Sequence, residues 1–338
     1  MHTTDAHPTP SNPPQDTVAD VYLRALARHG ASWLFCNAGT DFPPLIEAYE
    51  RAYRNGDTVP APVLVPHENV AVGMAYGAAI TTGQPQVVMV HVGVGTANAV
   101  CGLFNAARQQ VPLILAAGRT PVLEGGRLGA RNNYINWAQE MFDQAGMVRE
   151  LVKWDYELRD PAQMDAVVDR AYAVSTSAPQ GPSYLVLPRE VLSAPAMPTP
   201  TPPAVAPVAP ARARSEDLAQ LADWLAAARR PVIVTSDIGR SEAAFHKLAA
   251  FAERWAIPVA QYRPRYANLP TRHPMFVGYN PNRWVAEADC VLVIESDVPW
   301  LPDECTPAPE ARVVQVGRDP LYQNYPMRGF PSHLSIAA

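Results

Sequence analysis

APVLVPHENVAVGMAYGAAITTGQPQVVMVH, residues 61–91, reads as strand, helix and strand in succession. Ala61–Val65 is an extended apolar segment, Asn69–Thr82 is a helix with almost no charge, and Gln86–His91 is rich in β-branched residues. Strands joined through a helix lie parallel and are covered on both faces, so they read as apolar runs. Glu68 stands where the first strand ends and the helix begins. A carboxylate at the edge of apolar surroundings is costly unless something pairs with it or protonates it. The simplest purpose is a hydrogen bond to a heteroaromatic nitrogen of a bound cofactor. Read alone, Glu68 equally suits a helix N-terminal carboxylate that complements the helix dipole.

Outward from this stretch the alternation continues. A Thr17-x-x-Asp20 capping pattern opens a helix over Thr17–His29 that ends before Gly30. Strand Ser32–Cys36, the turn Asn37-Ala38-Gly39-Thr40 and a helix from Asp41 to Tyr53 follow. After His91 a glycine turn leads to helix Ala97–Gln109 and strand Pro112–Ala117. Then come a short helix near Trp137–Gln144, strand Val148–Trp154, helix Pro161–Ser175 and strand Ser183–Leu187. Residues 193–210, SAPAMPTPTPPAVAPVAP, hold seven prolines and read as an extended linker.

Beyond the linker the style repeats. Helices Glu216–Ala228 and Glu242–Trp255 alternate with strands Pro231–Thr235, Pro258–Ala260, Cys290–Glu295 and Arg312–Val316. The expectation is an α/β protein of two doubly wound parallel-sheet domains. The expected segments are a disordered tail over 1–15, a first domain over 16–192, a linker over 193–211 and a second domain over 212–338.

Composition narrows the function. The chain has 338 residues, enough for two domains at ~100–200 residues each. A net charge of −5 without a basic block argues against nucleic acid as a partner. No apolar run approaches the ~20 residues that span a membrane, and residues 1–15 lack the order of a secretory signal. Cys36, Cys101, Cys290 and Cys305 form no Cys-x-x-Cys pair, which suggests free thiols in a reducing cytoplasm.

Three turns fall at the carboxyl ends of predicted parallel strands: Asn37–Thr40, Pro66–Glu68 and His91–Thr96. Ligands of such sheets bind at that edge. A hydroxyl (Thr40), a carboxylate (Glu68) and an imidazole (His91) would meet there, which carries more weight than any one of them. Gly93-x-Gly95 lacks the third glycine of a dinucleotide fingerprint and reads as a tight turn.

From Val65 to Pro121 the chain resembles the pyrimidine-binding domain of thiamine-diphosphate enzymes of the acetolactate synthase, pyruvate oxidase and benzoylformate decarboxylase group. The matching pieces are His67-Glu68, Ala75-x-Gly77-x-Ala79, Gly83, Gly95-Thr96-x-Asn98, and Pro112-Leu113 through Gly118. Asn37-Ala38-Gly39-Thr40 and the segments Ala178–Pro182 and Leu187-Pro188 also match. Pro270–Pro274 and Asp289–Ile294 resemble the group's central domain.

The resemblance implies that Glu68 hydrogen-bonds the aminopyrimidine of thiamine diphosphate and drives the tautomer shift that activates the thiazolium carbon. It implies that His91 exchanges protons with the substrate-derived adduct. It also implies that Thr40 contacts the substrate carboxylate, and that Gly39, Thr40, Glu68 and Asn98 bind the cofactor. His91 and Thr40 favour decarboxylation of a small 2-oxo acid over acetolactate-type ligation.

The group's diphosphate domain is marked by Gly-Asp-Gly followed further on by Asn-Asn. In these residues Gly56-Asp57 is followed by Thr58, and Asn132-Asn133 follows no such motif. No metal ligand is assigned, so Mg²⁺ and the diphosphate are expected to be held by a partner chain or a domain outside these residues. The expectation is a subunit or N-terminal portion of a homo- or hetero-oligomer, inactive by itself. Two other readings stand beside it. One is a non-catalytic assembly or regulatory subunit. The other is a nucleotide-binding protein, against which Ser236-Asp237-Ile238-Gly239 is too sparse in glycine, so FAD is not expected.

Overall fold

The computed structural model describes residues 16–197 and 205–338. The sequence expectation for residues 1–15 and part of that for the linker lie outside the described residues. Packing divides the chain between Pro207 and Val208 into two compact units.

The first unit runs α1 (Val18–Arg28), β1 (Trp33–Cys36), α2 (Pro43–Asn55), β2 (Ala61–Leu64), α3 (Glu68–Thr82), β3 (Gln86–Val90) and α4 (Val92–Arg108). It continues β4 (Leu113–Arg119), α5 (Ile135–Ala138), β5 (Trp154–Glu157), α6 (Met164–Thr176), β6 (Ser183–Pro188) and α7 (Arg189–Leu192). Among the described residues its six strands lie in the order β2-β1-β3-β4-β6-β5, and every pairing is parallel.

The strands are apolar because both faces are covered. Leu34, Cys36, Val87, Met89, Ile114, Ala116, Leu185 and Leu187 pack under α1, α2 and α6. The alternate residues Phe35, Val88, Val90, Leu113, Leu115, Ala117, Tyr184 and Val186 pack under α3 and α4. This period of two is the pleat itself. At the start of α1 the Thr17 and Asp20 side chains form the capping box, and Arg51 joins Asp20 from α2 at 2.6 Å.

The helix α3 begins where His67 Nδ1 accepts from the Asn69 N–H at 3.1 Å, and it ends at Gly83 with φ +69°. Its Ala75 and Ala79 are buried, whereas Gly73 and Gly77 face outward with open space beyond them. The close approach of α4 depends on Gly102, where a Cβ would stand 2.8 Å from Val72 Cγ1.

Three expectations need correction. The predicted strand Val148–Trp154 starts only at Trp154. Val148 and Leu151 are buried from within a turn three residues apart, so that run buries its apolar side chains without extending. The helix near Trp137–Gln144 is instead the short α5 and a 3-10 turn at Ala145–Met147. The turn expected over His91–Thr96 is already helix from Val92.

The second unit runs α8 (Ser215–Ala227), β7 (Pro231–Thr235), α9 (Glu242–Trp255), β8 (Val259–Gln261), α10 (Asn282–Glu287), β9 (Cys290–Ile294), β10 (Arg312–Gly317) and β11 (Leu334–Ala337). Its parallel sheet has the order β11-β10-β9-β7-β8. Strand β11, which sequence reading passed over, closes the edge beside β10.

Candidate active site

In the first sheet the chain order reverses between β1 and β3, and such a switch point opens a crevice at the carboxyl edge. The turn after β1 supplies Asn37–Thr40 and the end of β3 supplies His91. The turn after β2, beside β1, leads into Glu68. Asn37 ties these turns together, since its amide donates to the Val65 carbonyl at 2.9 Å and its N–H to the Met89 carbonyl at 3.1 Å.

Glu68 is the first residue of α3 and is only 7 % exposed. The Asn98 amide, one helix over, donates to Glu68 Oε2 at 3.0 Å. Oε1 has no hydrogen-bond donor among the described residues and faces Gly95, where a Cβ would lie 3.3 Å from it. A buried carboxylate held from one side, with its other oxygen left to accept or share a proton, suits a ring nitrogen of a bound heterocycle.

His91 directly follows β3 as the residue before α4 and lies across the switch point against Gly39. A Cβ on Gly39 would stand 2.3 Å from both Cγ and Nδ1 of the ring, so only glycine permits this approach. Nδ1 of His91 lies 2.6 Å from Oδ1 of Asp41, and Oδ2 of Asp41 accepts from the Val92 N–H at 3.2 Å. Asp41 is 2 % exposed and is pressed from the other side by Gly118, where a Cβ would stand 1.7 Å from Oδ2. Val92 holds φ +34°, a strained value for a β-branched residue, at the point where strand turns into helix.

Burial alone would push the His91 pKa down. The hydrogen bond and charge of Asp41, with the charge of Glu68, outweigh it and hold the pKa above its ordinary value.

The far nitrogen of His91 meets Gln139, Nε2 to Nε2, at 3.1 Å. Glu140, the next residue, binds Arg119 at 3.0 Å and also Arg131. Behind the site Thr96 Oγ1 meets the Tyr184 hydroxyl at 2.7 Å, and Gln144 donates to that hydroxyl and to the Gly118 carbonyl, both at 2.9 Å. This network is fully buried, and burial pushes the Tyr184 phenol up to about 12.

The structure therefore brings Glu68, Asn98, His91 and Gly39 to one edge. Thr40 is exposed, and its backbone carbonyl is fixed by Arg189 Nη1 at 2.9 Å. Sequence reading missed Asp41 and Gln139, and it named Gly118 only as the end of a matching segment, without its contact to Asp41. Asp41 carried a signal, as a carboxylate directly after a glycine turn at a strand end. Gln139 carried none, because it lies in an irregular stretch. Among the described residues no cluster of three or more His, Cys, Asp or Glu could hold a metal ion.

The switch point of the second sheet, between β7 and β9, is filled from within. Ser236 and Ser296 meet hydroxyl to hydroxyl at 2.8 Å. Arg265 binds Asp237 and also reaches Asp297 at 3.1 Å, while Arg318 binds Glu295 at 3.2 Å.

Residues 16–147 match the family model described as the N-terminal TPP binding domain of thiamine pyrophosphate enzymes, and residues 218–326 match the central domain. The chain is 28 % identical over 320 residues to benzoylformate decarboxylase from Pseudomonas aeruginosa, covering 90 % of this chain and 57 % of that protein. It is 26 % identical over 287 residues to the acetolactate synthase large subunit of Lactococcus lactis, covering 82 % and 48 %. The chain thus spans about half the length of the curated relatives it matches. The crystal structure described as a thiamin diphosphate-dependent enzyme from Mycobacterium smegmatis superposes with a TM-score of 0.79 at 27 % identity, over 96 % of this chain and 60 % of that one.

Proposed function

The chain belongs to the thiamine pyrophosphate enzyme family, and we propose that it supplies the pyrimidine half of a thiamine-diphosphate site in a 2-oxo acid decarboxylase. The observation that carries this reading is the buried Glu68 carboxylate, anchored through Oε2 by Asn98 with Oε1 left for a ligand. The residues present fit the pyrimidine end of the cofactor. When bound, the cofactor supplies the carbanion equivalent and the electron sink that cleavage next to a carbonyl requires.

Glu68 holds or shares a proton with the ring nitrogen. Asn98 keeps the carboxylate aimed, and Gly95 lets it come close. Gly39 and the Thr40 hydroxyl border the ligand, with Thr40 meeting the substrate carboxylate. His91 gives or takes a proton at the reacting carbon's substituents. The paired Asp41 carboxylate favours the charged imidazole and holds its pKa above the ordinary value.

The residues in hand do not fit the diphosphate and Mg²⁺. A partner chain or further domain completes the site, in an oligomer acting on a small 2-oxo acid in the cytoplasm. No helix among the described residues is long and apolar enough to cross a membrane. The histidine favours decarboxylation. Acetolactate-type ligation is the second reading, favoured by the similarity to acetolactate synthase. A non-catalytic regulatory subunit is the third.

The test is release of CO₂ from benzoylformate or pyruvate with thiamine diphosphate and Mg²⁺. The purified chain alone should be inactive, and addition of a diphosphate-binding chain of the family should create activity. Turnover by the chain alone overturns the shared-site reading. Mixing that only modulates a partner's existing activity favours the regulatory one.

A further inference from the structure

We infer that Asp41 and Gln139 are the positioning residues of His91: Asp41 fixes a proton on Nδ1, so that Nε2 is the nitrogen that exchanges protons, and Gln139 is the group Nε2 must release to do so. This rests on reading His91 as the proton-exchanging group for a 2-oxo acid, and it assigns the two side chains that decide which nitrogen acts.

The geometry is over-determined. An ionised carboxylate only accepts hydrogen bonds, so the 2.6 Å contact to Asp41 Oδ1 requires hydrogen on Nδ1. The carboxylate cannot swing away. Its second oxygen is held by the Val92 N–H at 3.2 Å, and the Gly118 backbone lies where a Cβ would come within 1.7 Å of it. The imidazole is also confined by Gly39, where a Cβ would stand 2.3 Å from its Cγ and Nδ1.

With Nδ1 protonated, the neutral ring keeps its lone pair on Nε2. That lone pair accepts from the Gln139 amide at 3.1 Å. When Nε2 takes up a proton it becomes a donor and repels the amide N–H, so Gln139 must turn its carbonyl inward or withdraw. The proton that enters Nε2 comes from the ligand, and its return leaves Nδ1–H untouched.

Gln139 is itself placed. Glu140 beside it is held by Arg119 and Arg131, and Arg119 Nη2 also donates to the Met141 carbonyl at 3.2 Å. Met141 rests on Gly93, where a Cβ would stand 2.6 Å from its Sδ. The charged groups facing the ring are Asp41 from the turn before α2 and Glu68 from α3. The Glu140 charge behind Gln139 is met by the two arginines, so the field on the ring comes from the carboxylate pair.

The experiment is long-range ¹H–¹⁵N spectroscopy of the imidazoles of the full-length chain across a pH series, without cofactor. Neutral His91 is expected as the Nδ1–H tautomer, with a titration midpoint above 6.5. Asp41→Asn should lower that midpoint by about one unit or more and weaken the tautomer preference. Gln139→Leu should keep the Nδ1–H tautomer.

An Nε2–H tautomer in the native chain overturns the inference, as does an unmoved midpoint in a folded Asp41→Asn protein. If that variant does not fold, the native tautomer alone decides. A correct tautomer in an assembly that never acts on 2-oxo acids would overturn the proposed function instead, so the two failures are distinguishable.

Discussion

The imidazole of His91 lies directly on the α-carbon of Gly39, so that a single added methyl group would stand 2.3 Å from Cγ and Nδ1. This contact joins the ends of β1 and β3 across the switch point of the sheet. It places a residue type with no side chain under the one ring that the proposed chemistry needs to hold still.

Gly39→Ala should therefore push the imidazole out of line with Asp41. A displacement of about 1 Å commonly costs about 10²-fold in rate. We expect a loss of that order in CO₂ release by the completed assembly, with the melting temperature of the chain changed far less than the rate. Side-by-side kinetics and thermal melts of the two proteins check it.

The raised pKa of His91 links folding to pH with a definite sign. Burial works against the charged ring, and the Asp41 hydrogen bond and the charges of Asp41 and Glu68 more than reverse it. The folded state thus binds a proton more tightly than the unfolded chain. The stabilisation from this pair is fully present below the unfolded value of 6.5 and is lost as pH rises through the higher folded value. Urea unfolding of the native chain between pH 5.5 and 8.5 should show this component falling with pH. In Asp41→Asn the component should be absent, and a parallel pH dependence in both proteins would refute the linkage.

The second unit makes its own prediction. Arg265 lies between Asp237, at 4 % side-chain exposure, and Asp297, at 15 %. Removing one member of a buried ion pair leaves an uncompensated charge and costs about 3–5 kcal/mol. Arg265→Ala should lower the unfolding free energy of this unit by about that amount at neutral pH. The loss should shrink in acid as the Asp237 carboxyl protonates, because burial holds its pKa above the ordinary carboxylate value. Denaturation curves at pH 7 and pH 4 measure it.

Much of the fold was legible because its signals are local. The parallel strands announce themselves as runs such as Gln86–Val90, buried on both faces, and the helices through caps such as Thr17 with Asp20. Glu68 and His91 were legible because a strand end in this architecture is a site by topology. Asp41 was harder to find. Its role is a contact fifty positions away in sequence, made possible by Gly118 on yet another strand. Gln139 was not legible, since neither periodicity nor turn chemistry places an irregular segment against His91. The run from Val148 misled because burial at Val148 and Leu151 fits a turn as well as a strand.

The most direct test of the whole account is CO₂ release by the completed assembly carrying Glu68→Gln. The amide keeps the shape and the Asn98 neighbour but cannot take or share a proton. Loss of a positioned acid–base group costs about 10²–10⁴-fold, and a fall in that range is the expected result. A rate equal to that of the native assembly, under saturating thiamine diphosphate and Mg²⁺, would contradict the assignment of Glu68 and with it the proposed site.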